Sequence, residues 1–205
     1  MAKIPHPLLP LTLLVLATGF AASAQNSDFG VLAGVMSSPH ETVGGSRASI
    51  TTSDGGAVEF NYAYQVKGWK AGDLYVEIPF ILAGRDENWV GSGGASLNTT
   101  VVGAVLSGVR FKLPLGGRAS LYAAAGAGFG AYGENALSSS PGSASNIEHT
   151  TVTAAFDFGG GLDLRLTRLL SLRGEVRDLI LSRSGLSSPG GHNNPIFAFG
   201  FAFHF

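Results

Sequence analysis

No cysteine occurs in these 205 residues. That excludes a disulfide framework, a thiolate metal site and an acylated lipoprotein N-terminus. Charge is scarce as well. Charged residues make up 13% of the chain, and the formal net charge is −1, so there is no electrostatic footprint for nucleic acid. After Gln25 no apolar run approaches the ~20 residues a transmembrane helix needs. Metal-ligand spacing is also missing. His40, His149, His192 and His204 occur singly, without an HxxxH or HxH pair, and His6 lies in the N-terminal segment.

What is present begins with that segment. Lys3 supplies a positive start, Leu8 to Phe20 is an apolar core interrupted by Pro10, and Ala22-Ser23-Ala24 is a small-x-small site. This pattern is a secretory signal peptide over residues 1–24, leaving one domain over residues 25–205.

At the other end, Phe197-Ala198-Phe199-Gly200-Phe201-Ala202-Phe203-His204-Phe205 puts Phe at every second position. Successive strand side chains point to opposite faces. One face is therefore wholly aromatic and the other small. A soluble edge of this kind would aggregate, whereas a strand between lipid and a narrow lumen suits it. An exported chain that crosses lipid without apolar helices must be a closed barrel, because lipid leaves backbone groups unbonded.

Eight alternating segments are legible: Asp28–Ser37, Ala57–Val66, Asp73–Ala83, Thr100–Leu113, Ala119–Tyr132, Thr151–Leu166, Leu170–Ser182 and Ile196–Phe205. Short connections (Lys67–Gly72, Pro114–Arg118, Thr167–Leu169) alternate with long ones rich in Ser, Gly, Asn and Pro (Pro39–Gly56, Gly84–Thr99, Gly133–Thr150, Arg183–Pro195). Short periplasmic turns and longer outer loops are the outer-membrane pattern. The expected fold is an all-β, eight-stranded, antiparallel, up-and-down transmembrane barrel. Two positions resist the alternation. Pro79 removes a ladder donor in mid-strand, which predicts a bulge or local break. Asp178 falls on the lipid phase, which a phase slip or the start of the extracellular rim would explain. The first strand is apolar on both faces and its phase is open.

The lumen phase carries Glu59, Asp73, Glu77, Asp157, Asp163 and Glu175 against Arg110, Lys112, Arg165, Arg173 and Arg177. In an eight-stranded barrel the interior is just wide enough for side chains. Opposed charges there should pair, since an unpaired buried charge costs several kcal/mol. The expectation is a structural plug, with an ion path or gated small pore as the alternative. A wide porin needs about 16 strands. Trp69 in a short turn and Trp89 in a long loop are expected near opposite membrane faces, as interface aromatics.

Gly126-x-Gly128-x-Gly130 and Gly159-Gly160-Gly161 have no helix after them, so neither is a phosphate loop. They are expected to let strands curve or to leave room for lumen side chains. Ser and His occur in the loops, but a triad is recognised by geometry and no local motif marks one. The chain is expected not to be an enzyme and to need no cofactor.

The stretch Phe156-Asp157-Phe158-Gly159-Gly160-Gly161-Leu162-Asp163-Leu164-Arg165-Leu166-Thr167, followed by Leu170-Ser171-Leu172-Arg173-Gly174-Glu175-Val176-Arg177, resembles the small OmpA-like and opacity-type outer-membrane β-barrel family. There a glycine-rich strand runs into a short turn and then a strand with an Arg-x-Glu core. The resemblance is clearest over Thr151–Phe205. Val176 and Asp178 depart from the aromatic residues that family members often carry. The resemblance implies that Phe201, Phe203 and Phe205 form an assembly signal read by the barrel-assembly machinery, and that the peptidoglycan-binding domain of larger members is absent. It further implies a monomer in the outer membrane of a Gram-negative-type cell, in contact with membrane lipid and lipopolysaccharide. Its role would be structural, membrane-integrity or surface adhesion through the loops. A lipid-modifying enzyme and a narrow channel are the competing readings.

Overall fold

The alternation of large apolar and small or polar residues builds a closed antiparallel ring in the computed structural model. It describes residues 26–37, 48–52, 54–91, 94–140, 143–182 and 192–205. The proposed signal peptide lies outside these residues. The strands are β1 (Ser27–Met36), β2 (Ala48–Thr52), β3 (Gly55–Trp69), β4 (Gly72–Gly91), β5 (Gly94–Gly116), β6 (Ala119–Ser140), β7 (Ser143–Arg165), β8 (Leu170–Leu181) and β9 (His192–His204). Eight of them close the barrel. β1 pairs with both β3 and β9, and β4 pairs with β5. β2 adds only to the far end of β4.

The pairing can be followed once around the wall. From Gly161 on β7 it passes through Glu175, Ala198, Gly34, Ala57, Ala83, Val102 and Tyr132, and returns to β7 at Thr151. The displacement is ten residues. Such a stagger tilts the strands by about 35–45° and sets the bore.

The two faces separate as the alternation requires. Phe199 on β9 is 58% exposed, whereas Ala202 on the same strand is 0% exposed. Phe29, Val35, Phe60, Ile78, Phe156 and Val176 join the outer apolar surface. The open phase of the first strand resolves: Phe29 and Val35 face out, and Asp28, Leu32 and Met36 face in.

Several expectations are corrected. The segments Gly84–Thr99 and Gly133–Thr150 are not loops for most of their length. β4 runs on to Gly91 and β5 starts at Gly94, while β6 runs to Ser140 and β7 starts at Ser143. The apolar pattern ends where lipid ends, but cross-strand hydrogen bonds hold equally well in water. Likewise the segment Pro39–Gly56 contains β2. At Pro79 the expected local break is present, and no bulge accompanies it. Pairing with β5 stops after Glu77↔Gly108 and resumes at Phe80↔Val105 in the same register, while the β3 side is continuous through Asn61↔Pro79. Asp178 marks no phase slip either. β8 pairs regularly from Ser171 to Leu181, and Asp178 faces out between Phe158 and Pro195, bonded by the backbone N–H of Asn194.

A bulge does occur where sequence gave no warning, between Gln65 and Lys67 of β3. It switches the phase, so that Trp69 turns outward, packs its ring 6.3 Å from that of Phe111 and is 48% exposed. Lys67 Nζ lies 5.1 Å from the Trp69 ring. Trp89 belongs to β4 rather than to a loop, opposite Ser96; its side chain lies outside the described residues.

Candidate functional site in the barrel lumen

The interior has two layers. Toward the extracellular end, Leu32, Met36, Ile81, Leu106, Leu179 and Ile196 pack with small residues into an apolar layer. Sequence patterning missed this layer, because the same strands carry their charges lower down. Toward the periplasmic end lies a buried polar network. Its ionisable members are Asp28, Glu59, Glu77, Asp157, Asp163 and Glu175, facing Arg110, Lys112, Arg173 and Arg177.

Arg177 on β8 is the hub of the upper half. Its guanidinium meets Glu175 at 2.5 Å, Glu77 at 3.1 Å and Glu59 at 3.6 Å, and also bonds Asp157. Arg173, four residues nearer the periplasm on the same face, donates through Nε to Asp163 at 2.7 Å and through Nη2 to Asp28 at 3.1 Å. Arg110 on β5 links the halves, with Glu77 at 2.6 Å and Asp28 at 3.3 Å. Lys112 Nζ lies 2.5 Å from Asp163. Pairing on this scale offsets the desolvation of each ion.

Neutral groups complete the network. Asn61 Nδ2 donates to Glu59 at 3.1 Å and to Glu77 at 3.3 Å. The Tyr122 hydroxyl donates to Glu175. Its ring carries the guanidinium carbons of Arg110 and Arg173 at 4.6 Å and 5.2 Å from the centroid, within cation–π range. The Tyr122 side chain lies over Gly161, where a Cβ would run into the backbone carbonyl oxygen of Gly174 and come 2.5 Å from the phenolic oxygen. That close approach is the reason for glycine there.

Of the residues singled out from sequence, Glu59, Glu77, Arg110, Asp157, Asp163, Arg173, Glu175 and Arg177 come together. Asp73 and Arg165 do not. Both stand near the strand ends, where the lumen opens to water and a charge stays solvated. Asp73 accepts a hydrogen bond from Gln65 at 2.9 Å, and Arg165 is exposed. Asp28 and Tyr122 were missed. Asp28 was hidden by the two-sided apolarity of β1, and Tyr122 by the small residues around it, although its phase matches Ser120 and Ala124. His204 faces inward, with Nε2 2.7 Å from Ser171 Oγ. His149 and His192 have no described side chain, and His40 lies outside the described residues. No group of three or more His, Cys, Asp or Glu able to hold a metal exists among the described residues.

The network can brace the wall and fill the bore. Each of its cations is ion-paired within it, although Glu59 Oε2, Asp157 Oδ1, Arg110 Nε and Arg173 Nη1 find no hydrogen-bond partner among the described residues, and the apolar layer stands between it and the outer surface.

Comparison with known proteins gives the same architecture. No curated protein sequence matches the chain. Among solved structures, the outer membrane protease OmpT from Escherichia coli aligns at 8% identity over 89% of this chain and 98% of its own, with a TM-score of 0.54. The Neisserial surface protein A (NspA) aligns at 9% identity over 87% and 96%, with a TM-score of 0.49. Ail, the attachment invasion locus protein of Yersinia pestis, aligns at 12% identity over 88% and 99%, with a TM-score of 0.47. At 8% identity the likeness to OmpT is one of fold alone. The family described as outer membrane protein beta-barrel domain matches residues 11–205, and the chain belongs to that family.

Proposed function

We propose that this protein is a closed, non-conducting, non-catalytic barrel whose lumen is structural and whose biological work is done at its extracellular end. In this reading it supports membrane integrity or contacts a surface partner. The observation that carries the reading is the two-layer interior. A pore would need a continuous wet path, and the apolar layer of Leu32, Ile81, Leu106 and Leu179 offers none. The outward extensions of β4, β5, β6 and β7, joined by β2, favour surface contact. They raise a paired sheet past the apolar band, a firmer platform than free loops. The reading includes removal of residues 1–24, insertion as a monomer by the barrel-assembly machinery, and contact with lipid and lipopolysaccharide.

Planar-bilayer recording of the purified barrel tests it. The expected result is no stable conductance; steady openings of porin size refute it. A lipid A mass profile from cells with and without the protein addresses catalysis, and a changed acylation pattern would overturn the non-catalytic reading. Binding to host-cell or matrix preparations should fall when Gly84–Thr99 or Gly133–Thr150 is shortened to a tight hairpin.

A further inference from the structure

The plug leaves a cavity open at the periplasmic mouth, with a volume of about 250 Å³. Arg118 and Arg165 line it, together with Tyr75, Lys112 and Ser120. Gly116 and Gly117, at φ of 95° and 62°, reverse the chain and deliver Arg118 to the start of β6. Arg165 ends β7. Its N–H donates to the Arg118 carbonyl at 2.7 Å, one rung beyond Ala119↔Leu164. The two arginines therefore stand opposite each other on one face of an antiparallel pair, where like charges are destabilising.

Neither guanidinium has an ion pair or hydrogen bond among the described residues. The buried lumen cations differ. Lys112, Arg110, Arg173 and Arg177 each hold a carboxylate. Asp73, the acid on the cavity wall, accepts from Gln65 and keeps its negative charge, but no ion pair joins it to either arginine. The mouth thus presents, on two opposed residues, two guanidinium groups without an ion-pair partner among the described residues, at a cavity that Ser120 and Asp73 also line.

We propose that this mouth binds a phosphate monoester group between Arg118 and Arg165. Charge matching favours that class. A phosphate monoester carries about −1.5 to −2 at pH 7, enough for both guanidinium groups, whereas one carboxylate would neutralise only one. The fork of each guanidinium fits two phosphate oxygens. The esterified group is either a soluble alcohol phosphate of the periplasm or the headgroup of a membrane lipid.

Calorimetric titration of the barrel in maltoside micelles with glycerol 3-phosphate tests the site, with sodium chloride of equal ionic strength as control. Wild type should bind the ester and gain thermal stability that chloride does not give. R118Q/R165Q should weaken binding at least tenfold. Without ligand, the same variant should unfold no earlier than wild type, because a like-charge pair has been removed; this separates loss of the site from loss of the fold. Absence of binding by wild type, or equal binding by the double variant, overturns the proposal. Titration in phosphatidylcholine nanodiscs with and without phosphatidic acid assigns the source. Competition by phosphatidic acid supports a lipid headgroup at the site, and undiminished binding supports a soluble ester.

Discussion

Tyr122 on β6 reaches across Gly161 of β7 to donate its hydroxyl proton to Glu175 on β8. Gly161 is the pairing partner of both residues, so one rung of three strands carries a side-chain bridge over its middle member. The bridge ties a neutral donor to the charged network and holds the aromatic face beneath Arg110 and Arg173.

That bridge predicts two graded losses. Tyr122→Phe removes a hydrogen bond to a buried carboxylate and should cost about 1.5–3 kcal/mol. Gly161→Ala forces a methyl group against the Gly174 carbonyl and the phenolic oxygen and should cost about 1–3 kcal/mol. Urea unfolding of the refolded barrel, followed by the gel shift between boiled and unboiled samples, measures both. Unchanged midpoints would mean that the bridge contributes nothing.

Arg177 is shared among four carboxylates, and Glu175 has Tyr122 as a second partner. Arg177→Met should therefore cost more, about 3–5 kcal/mol, because it strands buried charges. Glu175→Gln should also lower thermal stability, but by less. The reverse order in thermal unfolding would displace Arg177 from the centre of the network.

The bulge before Lys67 places Trp69 in the interface rather than in the lumen. In a Trp89→Phe variant the remaining Trp69 fluorescence should be quenched by lipids brominated near the headgroup, more than by lipids brominated near the chain end. Deep quenching, or none, would contradict the outward phase.

Phe205 and Ser27 exchange backbone hydrogen bonds of 2.9 Å in each direction where the barrel closes. The His204 side chain bonds Ser171, and its backbone N–H donates to the Leu169 carbonyl. Replacing Phe205 removes an aromatic group that the family resemblance assigns to the assembly signal. Phe205→Ala is expected to lower the assembled fraction in cells far more than His204→Ala. Protease sensitivity of whole cells and the boiled-versus-unboiled gel shift give the comparison, and equal assembly would remove Phe205 from that role.

Processing is checked directly. Intact mass and N-terminal sequencing of outer-membrane fractions should give a chain that begins at Gln25. A start at Met1 would refute cleavage after Ala24.

The residues themselves determined the solvent and the faces. Phe at every second position from Phe197 to Phe205 requires a two-sided strand, and a chain without apolar helices can cross lipid only as a closed ladder. Strand phase then put Glu59, Glu77, Asp157, Arg173 and Arg177 on one inner surface, since a period of two leaves no other choice. Period alone cannot say how neighbouring strands slide. The ten-residue stagger decided which inward residues share a level, and so separated an apolar layer from a charged one. It also brought Asp28 to Arg110 and Arg173, from a strand whose two apolar faces hide its phase. A single bulge reversed the outlook of Trp69, because one extra residue flips every side chain beyond it. Strand lengths above the membrane were likewise settled by pairing, as hydrogen bonds between β4, β5, β6 and β7 continue where the hydrophobic pattern has already stopped.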